Sequence, residues 1–207
     1  KGHPTIQFET MSVEAVSLVH SVPETIGLFI RTKYGNIFHA TDWRFDDSKI
    51  EYLKTDYPEL EKISKEGVNI FVCDSTNVLE NKKLPSETDV RKSLLKIIKG
   101  LKNTVVVTCF ASNLMRLESL IMAADVAGRT PVLVGKSLIS NMKSALSCGY
   151  FENLPKVFDI SEAKDIPSDN ALYICTGSQA NYRSALTVIA NDESKFIKLG
   201  IQEISKW

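Results

Sequence analysis

Four residues in the first half of the chain stand out as placed to bind a metal or move a proton: His20, His39, Asp42 and Asp74. His20 closes the apolar run "VEAVSLV", His39 and Asp42 fall at the end of "NIFHAT", and Asp74 closes "VNIFVC". The β-branched and aromatic content of these runs predicts strands, so all four residues fall at strand ends, where one sheet edge can gather them. A metal site or an acid–base site is the chemistry such a set can perform. Turn and capping chemistry accounts for aspartates in the same places. Spacing alone does not decide, because a metal needs three or four convergent ligands and the chain holds three histidines in all.

The second half carries a different signal, three junctions of one design. "VVTCF-ASN", "VLV-GKS" and "YICT-GSQ" each end an apolar strand in small or hydroxyl residues and then begin a helix. Such junctions leave backbone N–H groups free at the carboxyl edge of a sheet, where open α/β folds bind ligands. Ser112, Ser137 and Ser178 could serve there merely as helix caps; three junctions along one edge favour a rim that binds anions. "VGKS" is not a nucleotide-binding P-loop. Six residues separate Gly128 from Gly135 rather than four, and the strand "PVLV" falls between the two glycines instead of before them. "TGSQA" does not match the G-x-S-x-G elbow, and no histidine follows His39 to serve a serine nucleophile in the second half, which argues against a serine hydrolase.

Two kinds of architecture must position these residues. The first 84 residues read as short β segments, with "KYGN" as a hairpin turn and "PELEKISKEG" as a helix running from Pro58 to Gly67. The continuous apolar run "VNIFVCDS" predicts a strand buried on both faces. The polar stretch "NKKLPSETD" marks a domain boundary after residue 84. From there helix and strand alternate. "SETDVRKSLLKIIKGL" opens with a capping box from Ser86 to Asp89 and spaces Val90, Leu94, Ile97 and Leu101 along one face. Further strands at "NTVVVTCF", "TPVLVG" and "ALYICTG" alternate with helices, which predicts a parallel sheet covered on both faces.

Composition narrows the function classes. Lys+Arg and Asp+Glu are both 25, so broad electrostatic attraction to a polyanion is absent and any phosphate recognition is local. No apolar stretch approaches the roughly 20 residues of a membrane helix. The cysteines, Cys73, Cys109, Cys148 and Cys175, show no CxxC spacing, which suits free thiols in a reducing cytoplasm. The chain opens without Met and without a signal-peptide pattern, which reads as an internal piece of a longer protein.

Taken together, these stretches resemble the ribonuclease J family. "VHSVPETIGLFIRTKYGNIFHATDW" is similar to that family's H-S-[IV]-P-D, G-L-x-I-x-T and H-T-G-D-[FW] segment. "VCDSTNV…PSE" resembles its D-S-T-N-A…S-E stretch. "ASNLMRLESL…VLVGKSL" and "ICTGSQANYRSAL" resemble its A-S-N-x-x-R, G-R-S and T-G-S-Q-G-E-P stretches. The resemblance runs in order along nearly the whole chain. It implies an α/β fold: part of a metallo-β-lactamase αββα sandwich over residues 1–84, then most of a β-CASP domain over 85–207, its mainly parallel sheet flanked by helices.

The resemblance further implies a cytoplasmic enzyme of RNA processing and decay, cutting RNA phosphodiesters exonucleolytically, endonucleolytically or both, with two zinc ions activating the attacking water. By the same resemblance His20 is a zinc ligand, Asp42 bridges both ions, and Asp74 is a catalytic acidic residue. Ser112, Asn113, Lys136, Ser137, Gly177 and Ser178 would line the RNA path. It admits a homo-oligomeric parent and implies no membrane partner. The family's H-x-H-x-D-H motif would precede this chain, and its S-G-H-A stretch would follow residue 207. Two protein ligands cannot hold a zinc pair, so this stretch alone is expected neither to retain zinc nor to cut RNA. Four departures stand out: Glu24 in place of Asp, Thr41 in place of Gly, Lys136 in place of Arg, and "QANY" in place of Q-G-E-P. The alternatives are a catalytically silent RNA-binding module and a hydrolase of small esters on the metallo-β-lactamase fold; the added α/β domain disfavours the latter.

Overall fold

A computed structural model of the chain describes residues 3–48, 50, 52, 54–81, 84–179 and 181–198. They group into two compact units, residues 1–88 and 89–207.

The first unit is a five-stranded sheet with one helix on it. Strands β1 (Thr5–Gln7), β2 (Met11–Ser17), β3 (Ile26–Thr32) and β4 (Gly35–Thr41) run antiparallel in sequence order, and β5 (Ile70–Cys73) adds parallel to β4. Lys33 and Tyr34 make the predicted tight turn, leaving Thr32 opposite Gly35. Between β4 and β5 the helix α1 (Tyr57–Glu66) opens where the Asp56 carboxylate accepts the Glu59 N–H at 3.1 Å. Period-two alternation sends Val16, Phe29, Phe38 and Ala40 to one face, and Ile63 of α1 packs among them. The nearly buried Glu14 faces the same way and meets the Arg31 guanidinium at 2.7 Å. Burial alone would raise the Glu14 pKa, but hydrogen bonds led by that from Arg31 hold it below the ordinary carboxylate value.

Two features depart from the sequence reading. Strand β5 was expected to be buried on both faces, yet Ile70, Phe71 and Val72 are 54%, 53% and 44% exposed among the described residues. It lies at the sheet edge, and a continuous apolar run cannot report how many neighbours a strand has. Strand β1 was not foreseen, because three exposed residues carry no period to read.

The second unit holds the parallel sheet that the alternating pattern predicts. After helix α2 (Glu87–Gly100) come β6 (Val105–Thr108), α3 (Leu114–Val126), β7 (Thr130–Val134), α4 (Lys136–Ser147), β8 (Phe158–Asp159), β9 (Ala171–Cys175) and α5 (Ala185–Ala190). The four strands are parallel in the order β6-β9-β7-β8. Val132, Val134, Tyr173 and Cys175 pack with Ile189 of α5, while the alternate residues Leu133, Leu172 and Ile174 are equally buried. Both faces of the sheet are therefore covered, and the α/β class holds. The apolar face of α2 is shifted by one position: Ile97 and Leu101 are exposed and Ile98 is buried. With isoleucine at both 97 and 98, periodicity does not choose between them. Arg129 carries the one cationic side chain buried in this unit among the described residues, and its guanidinium donates to the carbonyls of Leu101, Asp169 and Ala171. No helix among the described residues is long and apolar enough to cross a membrane.

Candidate functional site

The strand order places β9, the last strand in sequence, between β6 and β7, so the carboxyl ends of these three strands meet at a point where the connections diverge. Crevices of this kind are the ligand sites of open parallel sheets. One lies here, a cavity of about 350 Å³. Its walls are the segment after β6 (Cys109 to Ala111), the first turn of α4 at Ser137, and the loop from Thr176 to Ser184 that follows β9. None of the lining residues is acidic, and Arg183 is the one cation among them.

The three serines are not helix caps. Helix α3 is capped by Asn113, whose side-chain oxygen accepts the Arg116 N–H at 3.0 Å; α4 starts from Gly135 without a side-chain cap; α5 is capped by Ser184. Of the residues singled out from sequence, Ser137, Gly177 and Ser178 line the cavity. Ser112, just before α3, and Lys136, the first residue of α4, are exposed and do not line it, and the Asn113 side chain is engaged in its cap. Gly177 is fixed by geometry. Its φ is +132°, and a Cβ there would lie 2.7 Å from both Ser184 Oγ and Leu186 Cβ.

Sequence reasoning missed Phe110, Thr176, Tyr182 and Arg183, which also line the cavity. The available signal was an aromatic residue directly after β6 and another in the loop after β9. Cys109 and Cys175 stand at the ends of β6 and β9, where the Cys109 N–H donates to the Cys175 carbonyl at 3.0 Å. Burial pushes the Cys109 thiol up to about 11 and that of Cys175, raised further by Cys109, up to about 12. Neither offers a thiolate near neutral pH.

At the first unit's sheet edge, His20, Asp42 and Asp74 are brought to one side. The loop bearing His20 is tied to the segment after β4 by the Arg44 N–H donating to Val19 O at 2.8 Å, and the Asp74 N–H donates to Thr41 O at 3.2 Å. His20 is half-buried with Nδ1 3.3 Å from Ser21 Oγ; Asp42 is exposed. The Asp74 carboxylate accepts from the Thr76 hydroxyl and from its N–H at 3.0 Å, bonds that hold it below the ordinary aspartate value, and the nearby His20 adds in the same direction. His39 departs from expectation. It lies within β4, opposite Leu28 and beside Val72, not at the strand end. Among the described residues no three of His, Cys, Asp and Glu gather to hold a metal ion. The edge offers donors without a complete ligand set.

Thr41, which stands where the resembled motif has glycine, has φ +56° and follows a bulge in the β4–β5 pairing. That conformation is a true outlier for a β-branched residue. Replacing Thr41 by glycine relieves about 1–2 kcal/mol of left-handed strain, against about 0.4–1 kcal/mol of added unfolded-state entropy. Thr41→Gly should therefore raise unfolding stability by about 0.5–1 kcal/mol, measured by urea denaturation. A loss of more than about 1 kcal/mol would show that the threonine hydroxyl, bonded to Ile26 O at 3.2 Å, matters more than the strain.

Comparisons with known proteins bear on both units. The family described as "Ribonuclease J, beta-CASP domain" matches residues 102–204, wholly within the second unit. A ribonuclease J of Sinorhizobium meliloti is 40% identical over 89% of this chain and 33% of its own length. One of Mycolicibacterium smegmatis is 33% identical over 93% of this chain and 35% of its own. The chain thus spans about a third of the length of these curated relatives. A crystal structure of a protein of unknown function from Enterococcus faecalis V583 matches in fold with a TM-score of 0.57 at 17% identity, over 87% of this chain and 45% of that one.

Proposed function

The chain belongs to the ribonuclease J family, and on that premise we propose that it takes part in hydrolysing RNA phosphodiesters in RNA processing and decay, holding a single strand at the carboxyl edge of its second sheet. The observation that carries this reading is the cavity there, free of carboxylates, hydroxyl-lined and served by Arg183. A phosphate oxyanion is accepted by such a lining, whereas carboxylates would repel it. Because the net charge is zero, this local arrangement has to supply what a basic surface supplies elsewhere.

His20 and Asp42 we read as two ligands of a zinc pair, with Asp74 a second acidic group at the same edge. The donors described here do not complete a metal site, so the remaining ligands must come from other parts of the protein. Bound there, zinc would polarise the phosphodiester and activate water. The contribution of these side chains is to supply negative charge and a fixed imidazole at one edge. We place the protein in the cytoplasm, a reading that the free thiols of Cys73, Cys109, Cys148 and Cys175 support.

The test is the full-length protein carrying Arg183→Ala together with Ser178→Ala, the cation and a hydroxyl of the cavity wall. Affinity for single-stranded RNA should fall by about tenfold, and the slope of log K against log salt should lessen by about one, the signature of a lost phosphate contact. Cleavage at saturating RNA should stay within a few-fold of wild type. Unchanged affinity and slope would remove this edge from the RNA path.

A further inference from the structure

The cavity in the second unit carries more than groups suited to phosphate. Two aromatic rings stand on its wall, Phe110 from the segment after β6 and Tyr182 from the loop after β9, and they are 47% and 84% exposed. A single exposed ring needs no explanation. Two rings from separate segments on one hydroxyl-lined, carboxylate-free cavity form a pattern with a chemical meaning. The Arg183 guanidinium carbon lies 5.8 Å from the centre of the Tyr182 ring, within cation–π range. Arg183 itself has φ +70°, an uncommon conformation for an arginine and the kind that clusters at ligand sites. The cavity volume, about 350 Å³, is at the lower end of the roughly 300–1,000 Å³ of small-ligand sites. That is more than a phosphate alone fills.

We propose that Tyr182, flanked by Arg183 and facing the same cavity as Phe110, is a stacking platform for one nucleobase of single-stranded RNA, so that the cavity takes up a whole nucleotide and not only its phosphate. The inference rests on the RNA-binding reading above and adds to it a contact that distinguishes a nucleotide from an abasic sugar-phosphate. Every base presents a π-face, so stacking on Tyr182 tolerates any base identity while requiring that a base be present. The guanidinium beside the ring serves the adjoining phosphate. Tyr182 lies in "QANY", where the resembled stretch reads Q-G-E-P, so this platform belongs to this chain's own sequence.

The experiment uses the full-length protein and single-stranded oligoribonucleotides of one length, either with all bases present or with one abasic ribose moved stepwise along the strand. Wild-type protein should bind about tenfold more weakly when the abasic site falls at one particular position, the loss expected for one base–aromatic stack. Tyr182→Ala should remove that discrimination while binding the abasic strand as wild type does. Tyr182→Phe should keep it, since the π-face is retained; the exposure of Tyr182 makes both variants safe for folding. Binding that is insensitive to the abasic position, or discrimination that survives Tyr182→Ala, would overturn the platform and leave the RNA reading intact. No binding of any oligonucleotide, with or without bases, would overturn the RNA reading and the platform with it.

Discussion

Gly177→Ala should unfold the second unit at markedly lower denaturant and, on the RNA-binding reading proposed above, weaken RNA binding by the full-length protein, although the substitution adds a single methyl group. The backbone at Gly177 sits at φ +132°, and a Cβ would lie 2.7 Å from Leu186 Cβ and from Ser184 Oγ, well inside contact distance. Neither neighbour can yield cheaply. Ser184 is held in the cap of α5, accepting the Thr187 N–H, and the Leu186 N–H donates to Thr176 O at 3.0 Å, which ties Leu186 to the end of β9. Left-handed strain of about 1–2 kcal/mol and overpacking of about 1–3 kcal/mol together put the expected cost at about 2–5 kcal/mol. The companion Gly135→Ala isolates the strain. Its φ is +123°, but the nearest atoms, on Ala185 and Thr176, are 3.8 Å away, so only the conformational cost applies. Urea unfolding of the two variants, with RNA affinity measured alongside, checks the argument. Equal stabilities would mean that the β9–α5 junction gives way freely and does not shape the cavity.

The parts of this architecture that sequence reveals are those where each residue's local preference agrees with its final surroundings. The alternation after Ser86 announced a parallel sheet because buried strands such as "YIC" are apolar throughout and helices such as "LMRLESLIMAADV" repeat every three to four residues. It could not announce that β9 inserts between β6 and β7, since nothing in a strand's composition names its neighbours. Yet that insertion places Ser137, Gly177 and Ser178 around one cavity. The capping residues were misassigned for a related reason. Serine and asparagine are both good caps, and in "ASN" the chain uses Asn113 where Ser112 was weighed. Tyr182 was noticed only as part of a departure from a resembled motif, and Arg183 was not singled out. Their place on the cavity wall depends on where the loop after β9 returns to meet α5. In the first unit, hydrogen bonds between distant segments, Val19 with Arg44 and Thr41 with Asp74, bring His20, Asp42 and Asp74 to one edge. Spacing along the chain does not encode them.

We propose a division of labour in which the first unit's sheet edge supports cleavage and the second unit's cavity holds the strand. Asp42→Asn probes it with the least structural disturbance. Asp42 is exposed, so the substitution should not disturb packing, and it changes an acceptor-only carboxylate into a neutral amide of nearly the same shape. An amide brings no negative charge to a pair of cations and does not bridge them as a carboxylate does. Metal assistance is worth several kcal/mol of transition-state stabilisation, and each tenfold in rate is about 1.4 kcal/mol, so cleavage should fall by about a thousandfold or more. RNA affinity, which we assign to a cavity that Asp42 does not line, should stay within a few-fold. The deciding measurement is single-turnover cleavage of 5′-monophosphorylated single-stranded RNA by full-length wild-type and Asp42→Asn protein, with a gel-shift titration of the same RNA. The account predicts lost cleavage with preserved binding. Cleavage by Asp42→Asn at even a tenth of the wild-type rate, or loss of binding in parallel with cleavage, would contradict it.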